Sequence, residues 1–126
     1  AARERDIFTV AWVFDTQEAV RMAEAGADVI GAMVGVTVGG MSGAKKSLSL
    51  EQATREVGAI CRAARETNPE IIVLTHGCPF NDPETAQYSI VNSGADGYAA
   101  GSSVERLPTD NAVVALTRRY KEIKLN

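Results

Sequence analysis

The chain is poor in the residues that most often announce a chemistry. Its 126 residues include one histidine, His76, and two cysteines, Cys61 and Cys78. The cysteines form neither a CxxC redox pair nor a zinc-ligand pattern. Cys61 falls in a helix-like run and reads as a small core residue. Two unpatterned thiols are those of a reducing cytoplasm, the expected location. Basic charge is also scarce: 13 Lys and Arg stand against 16 Asp and Glu, a net charge of −3. Nucleic acid and anionic membrane surfaces are held by clustered Lys and Arg, so neither is an expected partner. The longest basic cluster, Arg118-Arg119 with Lys121, lies late in a C-terminal helix, where it complements the helix dipole. No apolar run approaches the roughly 20 residues that span a bilayer, and no signal-peptide pattern is present. The chain opens Ala-Ala-Arg-Glu-Arg without Met and is expected to be a piece of a longer protein. What remains, 45% hydrophobic and 23% charged residues, is the composition of one globular domain.

Apolar segments rich in β-branched residues alternate with helical patterns. Asp6 to Phe14 (DIFTVAWVF) is nearly continuous in apolar character and predicts a strand buried on both faces. Asp15-Thr16 supplies N-cap oxygens for a helix that stops at Gly26. Ala27 to Gly35 predicts a second strand. A long loop, Val36 to Leu50, leads to a helix capped by Ser49 with Gln52 as its capping-box partner and ended at Asn68-Pro69. Glu70 to Gly77 predicts a third strand. Asp82 and Pro83 begin the next helix as cap and first residue. Ala95 to Ser103 predicts a fourth strand, and a helix from about Thr109 to Lys124, capped by Thr109 or Asp110, closes the chain. Glu24 to Gly35 (EAGADVIGAMVG) echoes Asn92 to Ser103 (NSGADGYAAGSS), two βα units apart. Tight αβ turns select Gly-Ala-Asp, and this accounts for the echo without duplication.

Strands alternating with amphipathic helices indicate an α/β fold with parallel strands and right-handed crossovers. Four βα units fit either a small doubly wound sheet or half of a (β/α)8 barrel, which typically needs about 250 residues. All four strands read as equally buried, and each ends in something polar or glycine-rich. Both features favour four consecutive βα units forming the C-terminal half of a TIM barrel over residues 1–126. Such a half leaves strand edges open. It is therefore expected to form a homo-oligomer or to pair with the missing N-terminal half-barrel.

The segments FTVAWVFDTQEAVRMAEAGADVI, VGVTVGGMSGAKKSLSLEQA, EIIVLTHGCPFNDPETAQY and GADGYAAGSSVERLPTDNAV carry a resemblance. Together they resemble the C-terminal half of the phosphoenolpyruvate hydrolase-like TIM-barrel family, also called TIM-barrel signal transduction proteins. The barrel domain of plant Tm-1-type virus-resistance proteins is similar. The likeness runs collinearly from Asp6 onward and is densest in Thr37 to Leu50 and Gly101 to Pro108. It implies a β/α barrel, commonly oligomeric, with phosphoenolpyruvate as the suggested kind of substrate. Two positions depart from the family pattern: Met33 stands where a histidine is expected, and Cys78 where a glycine is. The loss of one of two imidazoles favours a barrel that does not catalyse, or a reaction that does not need that imidazole.

Barrel enzymes work at the C-terminal ends of their strands, often with phosphate bound after strands seven and eight. On that frame His76-Gly77 end strand seven and Gly101-Ser102-Ser103 end strand eight. Gly77 and Gly101 allow close backbone approach to an anion, and Ser102 and Ser103 add donors. The alternative is a βα turn whose serines only cap. His76 is the candidate acid, base or metal ligand, since imidazole changes charge nearest neutrality. Glu105 and Arg106 are either an orienting carboxylate and an anion clamp, or a helix-terminal charge and its partner. The loop holds Thr37, Gly39, Gly40 and Lys45 among its glycines, hydroxyls and lysines, the makings of an anion-closing lid. Its spacing is not that of a P-loop. A divalent metal such as Mg would find only Asp15, Glu105 and His76 as ligands, and Asp15 is equally explained as a helix cap. The expected ligand is a small phosphorylated or carboxylated metabolite. The alternative function is a non-catalytic oligomerisation, regulatory or protein-interaction module.

Overall fold

The computed structural model describes residues 1–36 and 48–122. After a 3-10 turn at Arg3–Arg5, strands and helices alternate: β1 (Val10–Val13), α1 (Thr16–Glu24), β2 (Val29–Met33), α2 (Leu50–Thr67), β3 (Ile72–His76), α3 (Pro83–Ser93) and β4 (Gly97–Tyr98). A short helix α4 (Ser102–Glu105) and a longer one, α5 (Leu107–Lys121), follow. The four strands are parallel and lie in sequence order, β1-β2-β3-β4. No strand is skipped and the winding direction never reverses. A doubly wound sheet reverses at its switch point; sequential order is that of a barrel.

The first three helices begin where side chains can satisfy their first N–H groups. Asp15 accepts from the Glu18 N–H, and Ser49 and Gln52 form a reciprocal capping box. Asp82 caps α3 through the Thr85 N–H, with Pro83 in the first turn. One face of the sheet packs against the helices. Val13, Ile30, Ala32, Val73 and Thr75 from the strands meet Ala19, Ala53, Val57, Ile60, Cys61 and Ala64 from α1 and α2. Burial pushes the Cys61 thiol up to about 11. Iodoacetamide at pH 8 is therefore expected to leave Cys61 unmodified until the protein is unfolded, as peptide mapping would show.

The same core holds a polar contact. Thr75 on β3 and Ser89 on α3 share a hydroxyl–hydroxyl bond of 2.9 Å, and both residues are fully buried. Ser89→Ala would leave the Thr75 hydroxyl dry and without that partner, a loss of about 1–3 kcal/mol. A chemical-denaturation midpoint unchanged by S89A would show that water or another group replaces the bond.

The opposite face of the sheet is bare. Val10, Trp12 and Ile72 point away from the helices and are exposed, as is Phe14 just after β1. The uniform strand burial expected from sequence therefore holds for β2 but not for β1 and β3, where alternate residues are open. These positions face the space that a complete barrel fills with side chains. One register row reads Trp12, Gly31, Leu74, Gly97 across β1 to β4. A Cβ at Gly31 would run into the Trp12 ring, and one at Gly97 would meet Leu74 Cδ2 at 3.3 Å. Bulk comes from alternate strands, the layering of a barrel interior.

The expected first strand, Asp6 to Phe14, is shorter in the fold, Val10–Val13, and further departures lie at the C-terminal end. The expected strand Ala95 to Ser103 shrinks to Gly97–Tyr98, since Ser102 already starts α4. The final helix starts at Leu107 rather than Thr109, with Pro108 in its first turn and no side-chain cap. The Thr109 hydroxyl instead donates back to the Glu105 carbonyl.

The sequence echo has a structural cause. Asp28 accepts from the Thr9 N–H at 2.7 Å, and Asp96 accepts from the Val73 N–H at 2.7 Å. In each case the aspartate before one strand ties down an N–H at the start of the preceding strand. Arg65 also reaches Asp96 and the Gly94 carbonyl, both at 2.7 Å. The Thr9 backbone bond holds the Asp28 carboxyl below its ordinary value, and the Thr85 N–H does the same for Asp82. A depressed carboxylate contributes stability above its unfolded value and loses it as pH falls through the folded one. Asp28→Asn is thus expected to lower the melting temperature at pH 7. The gap should close progressively in melts recorded below about pH 4.

Candidate functional site at the C-terminal ends of the strands

β3 and β4 end beside each other, and the turns after them close a small hollow. His76, Gly77, Cys78, Phe80, Asn81, Tyr98, Gly101, Ser102 and Ser103 line it. Its volume, about 10 Å³, is room for one water-sized group. The hollow is therefore one wall of a site rather than a whole substrate cavity.

His76 is the last residue of β3 and faces the open side of the sheet. Its Nδ1 lies 2.6 Å from the Ala99 carbonyl oxygen. A carbonyl only accepts, so Nδ1 carries the proton and Nε2 of the neutral ring keeps its lone pair. The Trp12 ring packs on the imidazole with centroids 4.5 Å apart and a tilt of 53°. A Cβ at Gly101 would lie 3.5 Å from His76 Cε1, so the turn after β4 runs along the ring edge.

That turn is anchored from beneath. Tyr98 donates its hydroxyl proton to the Phe80 carbonyl at 2.6 Å. It therefore accepts from the Ser103 hydroxyl 2.9 Å away, whose proton is thereby directed inward. The Val104 and Glu105 N–H groups bond to the Gly101 carbonyl. The Ser102 and Ser103 N–H groups have no acceptor among the described residues. They remain available as donors, and so does the Ser102 hydroxyl.

The first turn after β3 is equally constrained. Gly77 has φ +92°, and a Cβ there would run into the Gly35 carbonyl oxygen. A Cβ on Gly35 would sit 2.7 Å from the Cys78 carbonyl oxygen. The ends of β2 and β3 thus meet backbone to backbone. Met33 lies opposite His76 in the β2–β3 register. A histidine at 33 would therefore stand beside His76.

Of the residues proposed from sequence, His76, Gly77, Gly101, Ser102 and Ser103 come together here. Glu105 and Arg106 do not line the hollow. Glu105 is exposed, and Arg106 holds Asp110 one turn along at 3.0 Å. Thr37, Gly39, Gly40 and Lys45 lie outside the described residues. Among the described residues no three His, Cys, Asp or Glu side chains come together. Asp15 caps α1, and among the described residues Asp15, Glu105 and His76 are not gathered into one cluster. Sequence reading missed Trp12, Tyr98 and the Ala99 carbonyl. Tryptophan occurs once in the chain, at an interior-facing strand position, and that was the available signal.

The phosphoenolpyruvate hydrolase-like family model matches residues 1–123. The chain belongs to the phosphoenolpyruvate hydrolase-like family. It is 42% identical over 125 residues to the ToMV susceptible protein tm-1 of Solanum lycopersicum, covering 98% of this chain. It is 42% identical over 126 residues to the ToMV resistance protein Tm-1 of the same plant, covering 99%. The chain spans 17% of the length of each of these relatives. The solved N-acetylmannosamine-6-phosphate 2-epimerase from Clostridium perfringens aligns with a TM-score of 0.55 at 17% identity. That match covers 98% of this chain and 46% of the epimerase chain. The epimerase is a TIM-barrel enzyme, and four βα units account for half of such a barrel. Among the described residues no helix is long and apolar enough to cross a membrane.

Proposed function

We propose that residues 1–126 are the C-terminal half of a barrel domain in a longer protein, and that the domain binds a small phosphorylated or carboxylated metabolite at its strand ends. Phosphoenolpyruvate is the family-suggested example, and hydrolase or lyase chemistry the suggested kind of reaction. The observation that carries the reading is His76 beside the Gly101–Ser103 turn, with a free Nε2 next to unengaged backbone donors. The amides receive the anion, and His76 moves a proton at Nε2. Lys45 and the residues around it are the proposed lid, and the second half of the barrel supplies the opposite wall. Either that half or a second copy covers Val10, Trp12 and Ile72. We place the protein in the cytoplasm, with neither nucleic acid nor membrane as partner. Phosphoenolpyruvate and inorganic phosphate, titrated at millimolar concentration, should shift the amide NMR signals of Gly101, Ser102 and Ser103. If those signals stay still while the protein is folded, the anion site is elsewhere.

A second reading, a non-catalytic interaction or regulatory barrel, has its own support. Met33, opposite His76 in the register, stands where the family resemblance leads one to expect a histidine. Arg106, which an anion clamp would use, is held by Asp110. Turnover separates the two readings, because both keep an anion pocket.

A further inference from the structure

Trp12 belongs to the first strand of the described sheet and His76 to the third, yet their rings touch. The contact exists because the strand between them carries Gly31 at the crossing point, where any Cβ would strike the indole. Gly31 and Trp12 share one register row, and His76 sits two residues further along its own strand. The indole therefore leans over β2 to reach the imidazole. On the other side the ring is held through Nδ1 by the Ala99 carbonyl. Leu74, the other large side chain in that row, lies two residues before His76 on the same strand.

We infer that Trp12 is the positioning residue for His76, and that the pair, set by Gly31, presents Nε2 as the reacting nitrogen. Two restraints of different kind fix the ring. The carbonyl selects the tautomer, and the indole face stops rotation about the ring axis that would break that bond. A neutral imidazole with the proton on Nδ1 cannot donate from Nε2. It can only accept there, from a substrate O–H or C–H or from a bound water. An anionic oxygen is thus unwelcome at Nε2 and belongs on the amides of the Gly101–Ser103 turn. The protonated or reacting end of the ligand faces His76. This rests on the proposed anion site for its chemistry, but the tautomer and the ring contact stand without it.

His76 is the chain's one histidine, so its ring signals need no assignment by mutation. The experiment is nitrogen-15 NMR of the imidazole at a pH where it is neutral, in the unaltered protein, W12A and G31A. In the unaltered protein Nδ1 should read as protonated and Nε2 as bare, with cross-relaxation between the His76 and Trp12 ring protons. A protonated Nε2, or no cross-relaxation between the rings, overturns the assignment without recourse to any variant. In W12A the two nitrogens should move toward averaged shifts as the ring samples both tautomers. G31A, which keeps the indole but displaces it, should do the same, and W12F should largely restore the single tautomer. A single tautomer retained in both W12A and G31A would show that the Ala99 carbonyl suffices alone and would overturn the positioning role of Trp12. If phosphoenolpyruvate turnover is present, W12A should lower kcat about 10- to 100-fold with little change in KM, as displaced catalytic groups do. If the tautomer is as described but phosphoenolpyruvate and phosphate leave every signal unmoved, the anion site fails and the positioning stands.

Discussion

Gly77→Ala should be strongly destabilising. Gly77 sits at φ +92°, where a side chain costs about 1–3 kcal/mol in backbone strain. Its new methyl would also press on the Gly35 carbonyl oxygen, which is backbone and cannot swing aside. Forcing such a contact into packed structure costs about 1–3 kcal/mol more. Against a total stability of about 5–15 kcal/mol this is a large share. The melting temperature should fall by roughly 10 °C or more. Gly101→Ala is the internal control. Its methyl would meet His76 Cε1 at 3.5 Å, an ordinary contact, so its melt should stay close to that of the parent. Equal melts for G77A and the parent would mean that the β2 and β3 ends do not meet as described.

The difference between these glycines marks what a sequence can and cannot tell. Local signals were legible because their causes are local. The caps at Asp15, Ser49 and Asp82 use oxygens within three residues of the N–H groups they satisfy. Alternation of strands and helices followed from periodicity, and sequential parallel order followed from the barrel reading. The C-terminal turn was misjudged because Ala99, Ala100, Gly101 and the serines fit a strand end or a helix start equally well. The extent of β4 is set at a distance: its neighbours Asp96 and Ala99 give their N–H groups to the Val73 and Thr75 carbonyls of β3. Trp12 on His76 was hidden for the same reason. It depends on the register of three strands and on the absence of a side chain at Gly31, none of which has a local signature. Glu105 and Arg106 adjoin the serines in sequence, but the α4 turn carries them away from His76, and Arg106 is held by Asp110. Adjacency along a chain was a poor guide there, whereas adjacency across strands made the site.

The bare sheet face follows from the same geometry. Val10, Trp12 and Ile72 lie on the side that four more βα units cover in a full barrel, and the match to 46% of a barrel enzyme chain has that proportion. Trp12 is 43% exposed in this half. Closing the barrel would remove it from water and stiffen its contact with His76. Completion of the fold and preparation of the imidazole are thus one event in the proposed enzyme.

Replacement of His76 tests that event most directly, and two variants divide its roles. His76→Ala removes the ring, its bond to the Ala99 carbonyl and its contact with Trp12. A half-buried hydrogen bond of this kind is worth about 1 kcal/mol, so the fold should survive with a modestly lower melt. Removing a proton-transfer group should lower turnover by at least about 100-fold. His76→Asn is the sharper variant. Its amide N–H₂ can donate to the Ala99 carbonyl in place of Nδ1, but nothing replaces Nε2. Stability should then recover toward that of the parent while turnover stays as low as in H76A. Steady-state kinetics beside a thermal melt read both quantities. If H76N turns over as fast as the parent, the imidazole only ties β3 to the turn after β4 and the reacting group lies elsewhere. If the parent itself shows no turnover, the barrel is the non-catalytic module that Met33 favours. If both variants are stable and inactive, the reacting nitrogen is the one facing away from Ala99. The half-barrel would then hold the base of the reaction, with the anion's donors one strand further on.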